Sequence, residues 1–328
     1  MTAWPRLSAP LARSRLSALA AAVAVLATAC GGGDGGGAAG DARGYAALPA
    51  NFDLAANSPQ AFLVAVFGPE HRAVAYGTAA IALSFLGPPG RPLPEPRAGP
   101  VLSAVFQPAA GQPPAPADQR PRLLEVTETA GVYATEPVTF PDPGYWEATV
   151  TVAVAGRTRR MTAAFEVLDR HRVPAVGDAA PDTDNPTLGT PGVPPQALDS
   201  RAGSDGTVPD ADLHRASIAG ALAAHRPLVV VISTPAFCES RLCGPVTDAV
   251  AALAPRYRDQ VDFVHLEVYA DGQQRRLNPA AAAWIQRDGA DGNEPWVFVV
   301  NRDGRITDRF DNVANEAQID AALRRMLG

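Results

Sequence analysis

Between residues 51 and 168 apolar side chains recur at every second position, in short runs broken by turn residues, which is the pattern of half-buried β-strands. Runs over 61–68 (AFLVAVFG) and 79–87 (AAIALSFLG) predict strands, and Gly87-Pro88-Pro89-Gly90 stops the second. The segment 88–122 is rich in Pro, Gly and Ala and predicts a long loop. The clearest hairpin comes last. Over 146–152 (WEATVTV) one face is apolar and the other carries Glu and Thr; Ala155-Gly156-Arg157 turns the chain, and Met161, Ala163, Phe165 and Val167 alternate on the return. Residues 169–181 lead out of this region. The stretch 178–209 is polar, with many Pro and Gly and no apolar period, and predicts extended chain.

From residue 210 the period changes to strand and helix in alternation. Asp210 or Asp212 is the predicted cap of a helix running to about residue 224. PLVVVIST (227–234) predicts a fully buried strand, 246–253 a helix ending near Pro255, and VDFVHLEVY (261–269) a second strand. Pro279 opens a helix as a first-turn residue should. WVFVV (296–300) and RITDRF (305–310), joined by a tight turn at Asn301-Arg302-Asp303-Gly304, are the third and fourth strands, and a closing helix spans 316–327.

The first thirty residues read as a targeting signal. Arg6, Arg13 and Arg15 form a basic start without acid, and 16–29 is apolar and small, too short to span a bilayer comfortably. Ala27-Thr28-Ala29-Cys30 resembles the lipobox of bacterial lipoproteins, which implies Cys30 as the lipid anchor and a cell-envelope location outside the cytoplasm. The Gly-rich residues that follow form a flexible tether. Net charge is −6 and no basic run suggests a nucleic-acid partner. Every basic chain-borne cation apart from the histidines is Arg, so any mechanism that needs a lysine Schiff base is excluded. There are 3 cysteines; with Cys30 lipidated, Cys238 and Cys243 remain as one pair in a compartment that permits disulfides.

Several marks in one order resemble the thioredoxin superfamily, in its membrane-tethered thiol-disulfide, peroxiredoxin and SCO branches, over about 174–328. They are Val176-Gly177-Asp178-Ala179-Ala180-Pro181, Phe237-Cys238 straight after the strand 227–234, Pro295 directly before the strand 296–300, and Asn301-Arg302-Asp303-Gly304-Arg305. The resemblance implies an α/β thioredoxin-like domain with Cys238 and Cys243 as the catalytic pair and a cis Pro295 beside them. Phe237 and Glu294 are the substrate contacts it implies, and exported protein thiols or disulfides are the partners. PDPGYWEATVTV similarly resembles the late hairpin of immunoglobulin-like sandwiches. The predicted layout is a leader over 1–29, a tether over 30–50, an all-β immunoglobulin-like sandwich over 51–172, an extended segment over 173–209 and the thioredoxin-like domain over 210–328.

A cysteine at a helix N-terminus meets unpaired N–H groups and the positive end of the dipole, which favour thiolate, and thiolate is what attacks a disulfide. Arg241 is expected to add to this stabilisation and Glu239 to oppose it. The spacing is C-x4-C, and residues five apart on a helix are turned by about 140°. A bond between the two therefore requires Cys238 in a loop or an unwound first turn. A second register stays open, because Cys243-Gly244-Pro245-Val246 resembles C-G-P-C with Val last, which makes Cys243 the nucleophile. Ile232 stands where thioredoxin buries an acid.

No cofactor and no metal are implied. A redox-silent binding module with a structural disulfide and SCO-like copper handling are the alternatives. A peroxidase reading lacks the P-x-x-x-T-x-x-C pattern, since Pro235 and Val231 occupy its key places. His265 reads as a sheet histidine among apolar neighbours; His71, His171, His214 and His225 show no metal spacing. Trp284 and Trp296 read as core.

Overall fold

A computed structural model describes residues 44–116, 118–125, 131–238, 240–290 and 292–328. Cys30, the leader read over 1–29, the first part of the tether and Glu239 lie outside the described residues. The first half contains strands β1 (Ala46–Pro49), β2 (Leu63–Phe67), β3 (Val74–Ala75), β4 (Thr78–Gly87), β5 (Arg97–Pro108), β6 (Arg122–Leu123), β7 (Gly131–Thr135), β8 (Gly144–Val154) and β9 (Arg157–Val167). Seven of them pair antiparallel in the order β1-β2-β7-β5-β4-β8-β9, while β3 and β6 form a small ribbon of their own. β1 also packs against β9, so the sheet curls nearly to closure, like a barrel.

Alternation along the long strands builds its interior. Ala79, Ile81, Leu83 and Phe85 of β4 point inward, as do Trp146, Ala148, Val150 and Val152 of β8 and Met161, Phe165 and Val167 of β9. Phe62, Phe140, Trp146 and Phe165 meet at its centre, mostly edge to face. Such buried rings each contribute on the order of 2–3 kcal/mol over leaving them exposed.

The second half contains α1 (Ile218–Ala223), β10 (Leu228–Ser233), α2 (Cys243–Tyr257), β11 (Asp262–Glu267), β12 (Tyr269–Asp271), β13 (Arg276–Leu277), α3 (Pro279–Ile285), β14 (Trp296–Val300), β15 (Ile306–Asp311) and α4 (Glu316–Leu327). Four strands form a sheet in the order β11-β10-β14-β15, with β10 and β11 parallel and the other pairs antiparallel. β10 and β14 are buried along their whole length, so apart from Ser233 the side chains on both faces are apolar. Trp284, Trp296 and Phe298 pack on one face; Val250, Leu253 and Leu323 cover the other. Among the described residues no helix is long and apolar enough to cross a membrane.

The predicted fold class is overturned. The described chain is mostly β, dominated by the nearly closed seven-stranded antiparallel sheet and poor in helix. It is not an α/β thioredoxin-like domain, and its first half is not a clear immunoglobulin-like sandwich. Period-two alternation marks which side chains face inward, but it is the same whether strands close on themselves or form two facing sheets. Alternating helix and strand argues for a parallel sheet; here it yields a single parallel pair.

Local corrections have local causes. The predicted loop over 88–122 contains the twelve-residue β5, whose mostly exposed side chains carry no apolar period while its backbone pairs with β4 and β7. Neither Asp210 nor Asp212 caps α1. Asp210 is left-handed at φ 49°, and the cap is Ser217, whose Oγ accepts from the Gly220 N–H. The helix expected to end near Pro255 runs through it to Tyr257.

The two sheets are joined by a buried polar seam. Arg309 of β15 donates through Nη1 to Asp53 Oδ2 (3.1 Å) and the Val173 and Pro174 carbonyls, and through Nη2 to the Asp53 carbonyl (2.8 Å). Its guanidinium also lies over the Trp296 ring. Asp53 further accepts from the backbone N–H groups of Arg172 and Val173 and pairs with His171 Nδ1. Burial pushes the Asp53 carboxyl up, but the His171 hydrogen bond and the Arg309 charge outweigh it and hold it below its ordinary value. Asp311 completes the seam by accepting from the Phe52 N–H at 2.7 Å.

Truncating one member strands the other charge in the interior. Arg309→Met should lower unfolding free energy by about 3–5 kcal/mol. Denaturant unfolding followed by tryptophan fluorescence measures this, and a loss under about 1 kcal/mol, the worth of an exposed pair, contradicts the seam.

Candidate functional site

β10 ends at Ser233, and the chain reaches α2 through Thr234, Pro235, Ala236, Phe237, Cys238, Ser240, Arg241 and Leu242. Arg241 adopts φ 61°, turning the chain so that α2 starts at Cys243. Cys238 stands in the loop, so the two cysteines need not share a helix face. They form a disulfide with their Cα atoms 6.0 Å apart. Pro245 falls in the first turn of α2, where its missing N–H costs nothing.

The two sulfurs differ in environment. Cys243 is fully buried and Cys238 is half-buried. The Cys243 backbone N–H donates to Cys238 Sγ at 3.4 Å, and Ser240 Oγ lies 3.2 Å from the same sulfur. The helix N-terminus is thus aimed at the more accessible cysteine. Phe237, 41% exposed, leans over Gly272 beyond β12, where a Cβ would collide with the ring. Ala236 is tied down by its N–H donating to Ser200 Oγ at 3.0 Å.

The Glu294–Pro295 peptide is cis, and Pro295 is buried. It directly precedes Trp296, which pairs with Ile232 of β10, so Pro295 stands at the end of the strand that delivers Cys238. Glu294 turns its carboxylate inward, with Oε2 enclosed and without a partner among the described residues. Burial and the neighbouring Glu267 charge push its carboxyl up to about 8, the Thr234 N–H offsetting only part. Glu267, at the end of β11, accepts from the Ser200 N–H at 2.8 Å; burial raises it, and that hydrogen bond opposes the rise. The sequence reading missed Glu267. Its signal was an acid set within the apolar run 263–269, and it supplies a buried carboxylate that Ile232 cannot.

A hydrogen-bond chain leads inward from the cysteine pair. Thr247 Oγ1 donates to the Cys243 carbonyl at 2.8 Å and lies 2.7 Å from Ser233 Oγ, which in turn lies 3.0 Å from His265 Nε2. Thr247 and Ser233 are fully buried, and His265 nearly so. The chain couples the start of α2 to the middle of the sheet.

Protonated Glu294 generates a definite pH dependence. Its carboxyl titrates at about 8 when folded, against an ordinary 4.5. The folded form therefore holds a proton that the unfolded chain releases, and stability falls as pH rises between these values. Glu294→Gln should match the parent near pH 4 and exceed it by roughly 1–2 kcal/mol at pH 9, a figure reduced for partial exposure. Urea unfolding at both pH values measures the difference; parallel curves with no convergence at low pH contradict the assignment. Comparison with protein-family models, with curated proteins and with solved structures finds no match for this chain.

Proposed function

We propose that the chain carries out thiol-disulfide exchange through Cys238 and Cys243. One observation carries the reading: the sulfur of the half-buried Cys238 receives the first N–H of α2 while Cys243 is fully buried. That arrangement offers one sulfur for attack and lowers the cost of a thiolate there. A substrate thiolate attacks Cys238 Sγ; the bond to Cys243 breaks, and Cys243 departs as thiolate. A second substrate thiolate then displaces Cys238, leaving a substrate disulfide and a reduced pair. The reverse sequence reduces a substrate disulfide, with Cys238 attacking and Cys243 resolving. Electrons balance between the two dithiols, and no cofactor enters.

Phe237 gives an incoming peptide an apolar surface beside the reacting sulfur. The partners in this reading are exported protein thiols or disulfides. A leader and an anchor at Cys30 would keep the chain in the cell envelope, where such partners form.

The test is the reduction potential of the pair, set by dithiol buffers and read by thiol trapping, together with Cys243→Ser. A potential between about −120 and −270 mV, and a mixed disulfide trapped on Cys238 in the variant, are the expected results. A potential below about −300 mV marks a structural staple and overturns the proposal. Trapping on Cys243 in the Cys238→Ser variant, with none on Cys238, overturns the assigned order of attack.

A further inference from the structure

Behind the cysteine corner, three side chains from separate segments converge on one buried point. Asp199 follows a short turn at Pro195–Ala197, His214 closes the turn Ala211–His214, and His265 lies in β11. All three are at least nine-tenths buried, Asp199 completely. His265 Nδ1 is 3.4 Å and His214 Nε2 3.8 Å from the same oxygen, Asp199 Oδ2. The two rings meet edge to face with centroids 5.3 Å apart. Neither nitrogen has a hydrogen-bond partner among the described residues.

Donor counting along the inward chain assigns the proton on His265. Thr247 spends its only hydrogen on the Cys243 carbonyl, so Ser233 must donate to Thr247. Ser233 has then spent its own, so His265 Nε2 must donate to Ser233. A neutral His265 therefore presents a lone pair from Nδ1 to a carboxylate oxygen, inside the protein. Two facing lone pairs repel, and burial removes the water that would screen them. A cation between them resolves the conflict. A metal ion takes up both nitrogens at once, with the oxygen as third ligand.

Charge supports the same conclusion. Arg201 donates to both Asp199 oxygens, and it is shared with Asp210 (2.7 Å) and Asp248 (2.8 Å), so one guanidinium serves three carboxylates. It orients Asp199 while leaving an Oδ2 lone pair free for the histidines. With metal–ligand bonds of 2.0–2.2 Å, a tetrahedral site separates neighbouring ligand atoms by about 3.3 Å. The observed 3.4 and 3.8 Å approach that edge, and the three donor atoms lie within 4.8 Å of one another.

We propose that His214 Nε2, His265 Nδ1 and Asp199 Oδ2 form a buried site for one divalent transition-metal cation of the zinc class. Two imidazoles and a carboxylate suit that class better than calcium or magnesium, which prefer all-oxygen shells. Because the ligands come from three distant segments, the ion fastens the 195–214 segment onto β11. Through His265 and Ser233 it also stiffens the floor beneath Cys243.

The test uses the full chain with its disulfide intact, which removes thiolates as competing ligands. It is refolded with Zn²⁺ or Co²⁺ and dialysed against metal-free buffer. One retained Zn²⁺ per chain is expected, and in the Co²⁺ form visible d–d absorption with two paramagnetically shifted imidazole N–H resonances. His214→Gln and His265→Gln should each weaken binding at least about 100-fold, while Asp248→Asn leaves it within a few-fold. If either histidine variant fails to fold, the Co²⁺ spectra of the parent chain decide. A folded parent that retains no metal, a Co²⁺ form lacking the two imidazole signals, or folded histidine variants that bind as the parent does each overturn the site.

Discussion

Arg309 reaches from β15 into the segment between β1 and β2 and satisfies a carboxylate that would otherwise be stranded in the interior. Asp53 cannot be solvated where it lies, and its other donors are the ring of His171 and two backbone amides. A buried charge of this kind costs several kcal/mol unless it is fully paired. The geometry that pairs it draws together three stretches: 50–53, 171–174 and the last strand of the second sheet. Asp311 and Asn312 extend the same contact through the Phe52 N–H and the Ala50 carbonyl. The position of the nearly closed sheet against the four-stranded one is thus set by polar complementarity as much as by apolar burial.

The second sheet carries the chemistry because its central strand is buried on both faces and yet ends in polar residues. β10 supplies Leu228 to Ile232 as core, then Ser233 and Thr234 inside the same envelope. Buried hydroxyls must find partners, and Ser233 finds Thr247 and His265. That requirement fixes where α2 begins relative to the strand. The Cys243 carbonyl is one acceptor of the network, so the buried cysteine is held in place by its backbone while its sulfur is left to the disulfide. Cys238, on the loop, is left accessible.

Glu294, Glu267 and the Asp199 cluster surround this corner with groups whose charges depend on one another. Glu267 accepts from Ser200 and Asp199 precedes Ser200, whose Oγ in turn holds the Ala236 N–H. The turn-rich segment 195–202 therefore braces the loop that presents Cys238. A stretch that looks like linker in composition is part of the site's support.

The sequence by itself determined the period-two strands around the final hairpin, the buried strands 227–234 and 296–300, and the cysteine pair at a helix start. Each of these is dictated by local periodicity or local chain stiffness. It did not report β5, whose pairing runs through backbone groups that every residue shares. It could not separate one curled sheet from two facing ones, because inward alternation is identical in both. Only the tertiary structure decided that Asp53 meets Arg309 across 256 positions, and that His214 and His265 converge on Asp199. Those encounters depend on loop paths and on the satisfaction of buried charge, and neither leaves a periodic trace in the chain.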